Sequence, residues 1–93
     1  MVRAFVLYES EPEAGRYEQH AELCRKVPGS TFRHGRVFGA PRGEPKHRYF
    51  GEWEFADRET FDAAAQSQEF RATGKDMMER GLPMPAVEFV ELD

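Results

Sequence analysis

One histidine stands where a helix should carry an apolar side chain. Between Tyr17 and Gly29 the residues Tyr17, Ala21, Cys24 and Val27 recur at helical spacing, and His20 falls among them, three after Tyr17 and four before Cys24. Burying an imidazole costs free energy unless the ring is hydrogen-bonded or employed, and imidazole takes and returns a proton near neutral pH. The chemistry implied is general acid/base catalysis in a mostly apolar pocket. The alternative is a structural histidine bonded to a backbone carbonyl or to Tyr49. Cys24, one turn on, suggests a Cys–His nucleophile or a metal pair. No further ligands stand at metal-site spacing, so no metal is expected, and Cys24 reads better as a small buried hydrophobe.

The elements that position His20 follow from periodicity. Val2–Tyr8 is short, rich in β-formers and mostly apolar on both faces, as a central strand would be. Ser10 and Glu13 have capping-box spacing with Pro12 between them, which predicts a helix start there; Pro28 and Gly29 stop that helix after about Lys26. Thr31–Phe38 alternates, with Phe32, His34, Arg36 and Phe38 on one face. Gly39–Pro45 is a loop without a phosphate-binding pattern. His47–Phe55 is the second arm of a hairpin, with His47, Tyr49, Gly51, Trp53 and Phe55 on one side. Pairing Phe38 with His47 sets His34 against Gly51, Arg36 against Tyr49 and Phe32 against Trp53. If that side faces the helices, His34 and Tyr49 meet a ligand beside His20; a single bulge would reverse the faces.

Asp57 is placed to cap a second helix carrying Phe61, Ala64 and Ala65 inward. Ser67 predicts a break, after which Phe70, Gly74, Met77 and Met78 continue the apolar face as far as Gly81, Pro83 and Pro85. Met77, Met78 and Met84 could form an adaptable apolar wall, and Trp53 and Phe55 are core residues with pocket lining as a second role. Ala86–Leu92 is a last strand with Val87 and Phe89 on one face. The order β-α-β-β-α-β predicts an α+β fold, the ferredoxin-like plait, with a four-stranded antiparallel sheet and its helices on one face. The bare face, where Phe5, Leu7 and Phe50 are expected, calls for a second copy packed sheet to sheet. Glu52 is read as the partner of an arginine such as Arg33 across that homodimer, in preference to a ligand contact.

Ninety-three residues form one domain over 1–93, which would bury roughly 60–65% of its unfolded surface, so a second copy is a natural way to add core. A net charge of −4 argues against nucleic acid, which calls for a basic stripe. A single cysteine makes a reducing cytoplasm the default. The apolar run Ala4–Tyr8 is too short for a membrane span and is followed by acids instead of a cleavage site, so neither a membrane anchor nor a signal peptide is expected.

With these elements in order, the chain resembles the EthD-like family of the dimeric α+β barrel superfamily. The resemblance is carried by Val2–Tyr8 (VRAFVLY), by His20 followed by Leu23 and Val27-Pro28-Gly29, by Gly51–Phe55 (GEWEF), by the acidic start of the second helix and by Ser67–Phe70 (SQEF). It implies the plait, a dimer, a ligand held between helices and sheet, and small-molecule chemistry without metal or cofactor. In the methylmuconolactone methylisomerase branch, a histidine at the position of His20 is implicated in catalysis. Trp53 stands where that branch has a reactive cysteine, and Arg33 where a tyrosine would be, so its thiol-dependent isomerisation is not expected here.

Two functions follow from different classes. One is a cofactor-free isomerase, cyclase or monooxygenase acting on a small apolar, aromatic or lactone substrate. In it His20 shuttles the proton, Tyr49 or His34 orients a carbonyl, and Tyr17, Cys24, Trp53 and Met77 line the pocket. The other is a non-catalytic dimer that carries a hydrophobic metabolite or supports a neighbouring oxygenase. Haem held by His20 ranks below both.

Overall fold

Alternation along the first strand decides the layering. In β1 (Val2–Tyr8), Val2, Ala4, Val6 and Tyr8 are buried while Arg3, Phe5 and Leu7 are half-buried, so only one face of the sheet lies under a helix layer. The computed structural model describes residues 1–79 and 81–93. After β1 come α1 (Ala14–Arg25), β2 (Ser30–Arg36), β3 (Tyr49–Phe55), α2 (Arg58–Ala65), α3 (Gln68–Glu79) and β4 (Ala86–Glu91). The strands pair antiparallel in the order β2-β3-β1-β4. This is the ferredoxin-like plait, with its second helix in two pieces. Ser67 makes the break: its hydroxyl donates to Ala64 O at 2.6 Å and accepts from Phe70 N at 3.1 Å, closing α2 and opening α3.

α1 starts later than the Ser10–Glu13 spacing predicts. Glu13 is its N-cap, and its two carboxylate oxygens accept from Gly15 N and Arg16 N, each at 2.9 Å. One carboxylate satisfies two of the orphan N–H groups and sits at the positive end of the helix dipole, which leaves Ser10 no capping role. Those two backbone bonds hold the Glu13 carboxyl below the usual range. Asp57 caps α2 as expected, accepting from Thr60 N at 2.8 Å. Beyond α3, Gly81 takes φ +70°, and Leu82 N donates to Met77 O at 3.2 Å.

The hairpin register is the predicted one: Phe32 opposes Trp53, His34 opposes Gly51 and Arg36 opposes Tyr49. The strands stop short of Phe38 and His47, and Phe38 is fully solvent-exposed. On the uncovered face, Arg33 and Glu52 are direct cross-strand partners. The expected ion pair therefore forms within one chain: Arg33 Nη2 lies 3.2 Å from Glu52 and 2.6 Å from Glu54, and Arg3 approaches the same two carboxylates. Among the described residues, no helix is long and apolar enough to cross a membrane.

Gly51 is where the sheet must stay bare for the helix layer to seat. A Cβ there would lie 2.8 Å from the Tyr17 hydroxyl and 3.1 Å from Phe32 Cζ. Gly51→Ala should therefore lose about 1–3 kcal/mol in urea unfolding. Gly39→Ala, at a position with nothing within 4 Å, should leave the midpoint unchanged.

Candidate functional site

α1 turns Tyr17, His20 and Cys24 inward, all three buried. His20 meets neither a backbone carbonyl nor Tyr49. Its Nδ1 lies 2.9 Å from Asp76 Oδ2 on α3, with His20 4% and Asp76 8% exposed. With Nδ1–H donated to the carboxylate, the neutral ring carries its lone pair on Nε2 and is held in one orientation. The packing of α1 against α3 and this buried bond support each other, since the His20 ring without its acceptor would be a desolvated polar side chain.

Beside His20 is a cavity of about 180 Å³. Val6 and Tyr8 of β1, Phe32 of β2 and Trp53 of β3 form its sheet side. Tyr17, His20 and Cys24 come from α1, and Phe70, Thr73 and Met77 from α3. Val87 and Phe89 of β4, 46% and 56% exposed, form the rim. Among the described residues, no Lys, Arg, Asp or Glu is in the lining. The volume is close to the ~150 Å³ of a dry cavity that accommodates benzene, so the space suits a single ring.

Of the residues singled out in the sequence, Tyr17, His20, Cys24, Trp53 and Met77 share this cavity. His34 and Tyr49 do not line it. They share a hydrogen bond of 2.6 Å, each ring 5.0 Å from the Tyr17 ring, and so stand behind Tyr17. Met78 and Met84, both 73% exposed, form no wall. α3 is turned so that Thr73 and Asp76 face inward with Met77, because Asp76 must reach His20.

Tyr8, Thr73 and Asp76 were not legible as site residues from pattern alone. Methionines at Met77 and Met78 draw the apolar face away from Asp76. The available signal was the demand of a buried His20 for a partner on the facing helix. Thr73 satisfies its hydroxyl locally, on Phe70 O at 2.7 Å.

Trp53 is locked in place, its Nε1 donating to Cys24 O at 2.9 Å and its ring between Phe32 and Phe70. Burial pushes Tyr8 up to about 12, against the lowering effect of a hydrogen bond with Tyr17. Burial raises Tyr17 further, with Tyr8 adding to it. Burial likewise pushes the Cys24 thiol up to about 12, helped by the charge of Asp76. His34 is lowered by burial, in opposition to Glu18. Among the described residues, no three His, Cys, Asp or Glu side chains gather in a way that could hold a metal ion.

No protein-family model matches the chain, and no curated protein matches it. Solved structures do. An ethyl tert-butyl ether D (EthD) family protein from Bacillus halodurans C-125 is 29% identical, with a TM-score of 0.80 over 100% of this chain and 99% of that one. A dimeric ferredoxin-like protein of unknown function from Jannaschia sp. CCS1 is 22% identical, with a TM-score of 0.72 over 98% of each chain. SnoaB, a cofactor-independent oxygenase from Streptomyces nogalater, is 14% identical, with a TM-score of 0.57 over 98% of this chain and 89% of its own. The last two likenesses are of fold.

The thiol and phenols give a titration prediction. Cys24, Tyr8 and Tyr17 hold their protons more tightly folded than unfolded, so unfolding releases protons at alkaline pH. Their contribution to stability is complete below pH 9, the ordinary thiol value, and is lost as pH rises toward 12. Urea midpoints should fall over that window. At pH 8 Cys24 should resist a thiol-reactive disulfide reagent until the protein unfolds; rapid labelling of the native protein would contradict its burial.

Proposed function

We propose that this EthD-like chain of ferredoxin-like fold is a small-molecule enzyme that needs no cofactor, with His20 as general acid/base and Asp76 fixing its ring. The observation that carries the reading is the buried 2.9 Å His20–Asp76 bond at the edge of an apolar cavity. A neutral imidazole presenting Nε2 can accept a proton from a bound ring and return it elsewhere on the molecule. Water is kept away by Trp53, Phe70 and Met77, and a dry site strengthens every polar contact made there. The uncharged lining favours a neutral substrate, such as a single-ring aromatic, quinol or lactone. Cofactor independence in SnoaB, on the same fold, supports the class of chemistry without naming the reaction.

The working form we propose is a homodimer joined through the uncovered sheet face. Half-buried Phe5, Leu7 and Phe50 lie on that face, and apolar area of this kind is usually covered. The Jannaschia neighbour is described as dimeric. Leu7→Glu should convert the protein to a monomer by light scattering, whereas a dimer that persists would place the interface elsewhere.

The test of activity is a thermal-shift panel of single-ring lactones, phenols, quinols and cyclic ketones, followed by an NMR assay of the best stabiliser for turnover or C–H exchange in D₂O. His20→Ala should cut the rate about 10²–10⁴-fold, and Asp76→Asn should cut it less while leaving binding in place. Equal rates in wild type and His20→Ala would end the reading. Stabilisation without turnover or exchange would mark a binding module instead.

A further inference from the structure

We infer that Tyr8 holds a carbonyl oxygen of the ligand, so that the site takes neutral single-ring carbonyl compounds whose acidic C–H faces His20. The inference rests on His20 acting as base. Tyr8 is completely buried yet lines the cavity. Its oxygen is engaged by Tyr17, and among the described residues its own proton is directed at Met77 Sδ, 4.0 Å away. A thioether is a weak acceptor, and a buried tyrosine hydroxyl ordinarily finds a better one. A carbonyl oxygen entering the cavity would take that proton in place of the sulfur. Tyr49 and His34, which the sequence put forward for this task, are bonded to each other outside the lining. Among the described residues no Lys or Arg stands in the lining, so a carboxylate ligand finds no permanent counter-charge from them, and the carbonyl of a ketone, lactone or quinone is the fitting acceptor.

The chemistry this arrangement supports is proton transfer alpha to a carbonyl. Nε2 of His20 removes the proton, the C–H bonding pair passes into an enolate, and the charge gathering on oxygen is met by the Tyr8 O–H, itself polarised by Tyr17. The proton then returns from Nε2 to the same carbon or to a conjugated one, and nothing is oxidised or reduced. Burial keeps Tyr8 protonated across the neutral range, as a donor in this role must be.

The test uses acetophenone as the probe and ethylbenzene as its match without the carbonyl. Infrared difference spectra of bound acetophenone should show the C=O band lowered relative to hydrocarbon solvent. Tyr8→Phe should abolish that lowering and weaken acetophenone binding about tenfold, with ethylbenzene unaffected. Tyr17→Phe, which keeps the Tyr8 hydroxyl but removes its donor, should reduce the lowering and serves if Tyr8→Phe does not fold. An unshifted band, a shift indifferent to Tyr8→Phe and Tyr17→Phe, or failure of acetophenone to bind would each overturn the assignment. His20→Gln, which removes the base while its side-chain amide can still donate to Asp76, should retain the shifted band, so failure of the base and failure of Tyr8 give different results.

Discussion

An imidazole on one helix and a carboxylate on another meet within a largely apolar layer, and the imidazole is tolerable there because the carboxylate accepts its N–H. His20 on α1 and Asp76 on α3 lie 56 residues apart in sequence and 2.9 Å apart in space. An imidazole buried there without that acceptor would cost the desolvation of its ring nitrogens. Their bond therefore fixes how α3 is rotated against α1, which decides that Thr73 and Met77 face the sheet and Met78 faces solvent. The same bond sets which ring nitrogen is left for the proposed chemistry. Packing and the proposed function share one constraint.

The sheet supplies the complementary half. Gly51 leaves space that the Tyr17 hydroxyl occupies, and Trp53, tied to the Cys24 carbonyl, fills what would otherwise be a deeper slot. The helix layer does not extend over β4, so Val87 and Phe89 remain as an apolar rim. The opposite face has a different character. There Arg3, Arg33, Glu52 and Glu54 neutralise one another across β1, β2 and β3. With Glu52 only 7% exposed, that network leaves the apolar Phe5, Leu7 and Phe50 as the surface a second copy would meet.

Much of this was legible in the chain because it rests on local rules. Strand alternation, the Asp57 and Ser67 caps, the Pro28-Gly29 stop and the hairpin register each depend on neighbouring residues, and each appears in the structure. His20 was visible for the same reason, as a break in a helical stripe. The start of α1 departs from the Ser10–Glu13 capping-box spacing because the Glu13 carboxylate accepts from two N–H groups by itself. The inward side of α3 could not be read from its methionines, since flexible Met78 loses little by facing water whereas Asp76 has a distant partner to meet. The face on which His34 and Tyr49 lie stays open in the sequence, since a single bulge would reverse it; in the structure both rings contact Tyr17, which stands between them and the cavity, a depth that register does not encode.

The central claim is that Asp76 holds His20 with a bare Nε2 at the cavity. Long-range proton–nitrogen NMR of the imidazole tests it without knowledge of the substrate. The account predicts, for the neutral ring, a protonated Nδ1 and an unprotonated Nε2 whose resonance moves when phenol fills the cavity. Asp76→Asn should weaken the preference for that tautomer. A neutral ring protonated on Nε2, or an Nε2 signal indifferent to phenol at saturating concentration, would contradict it.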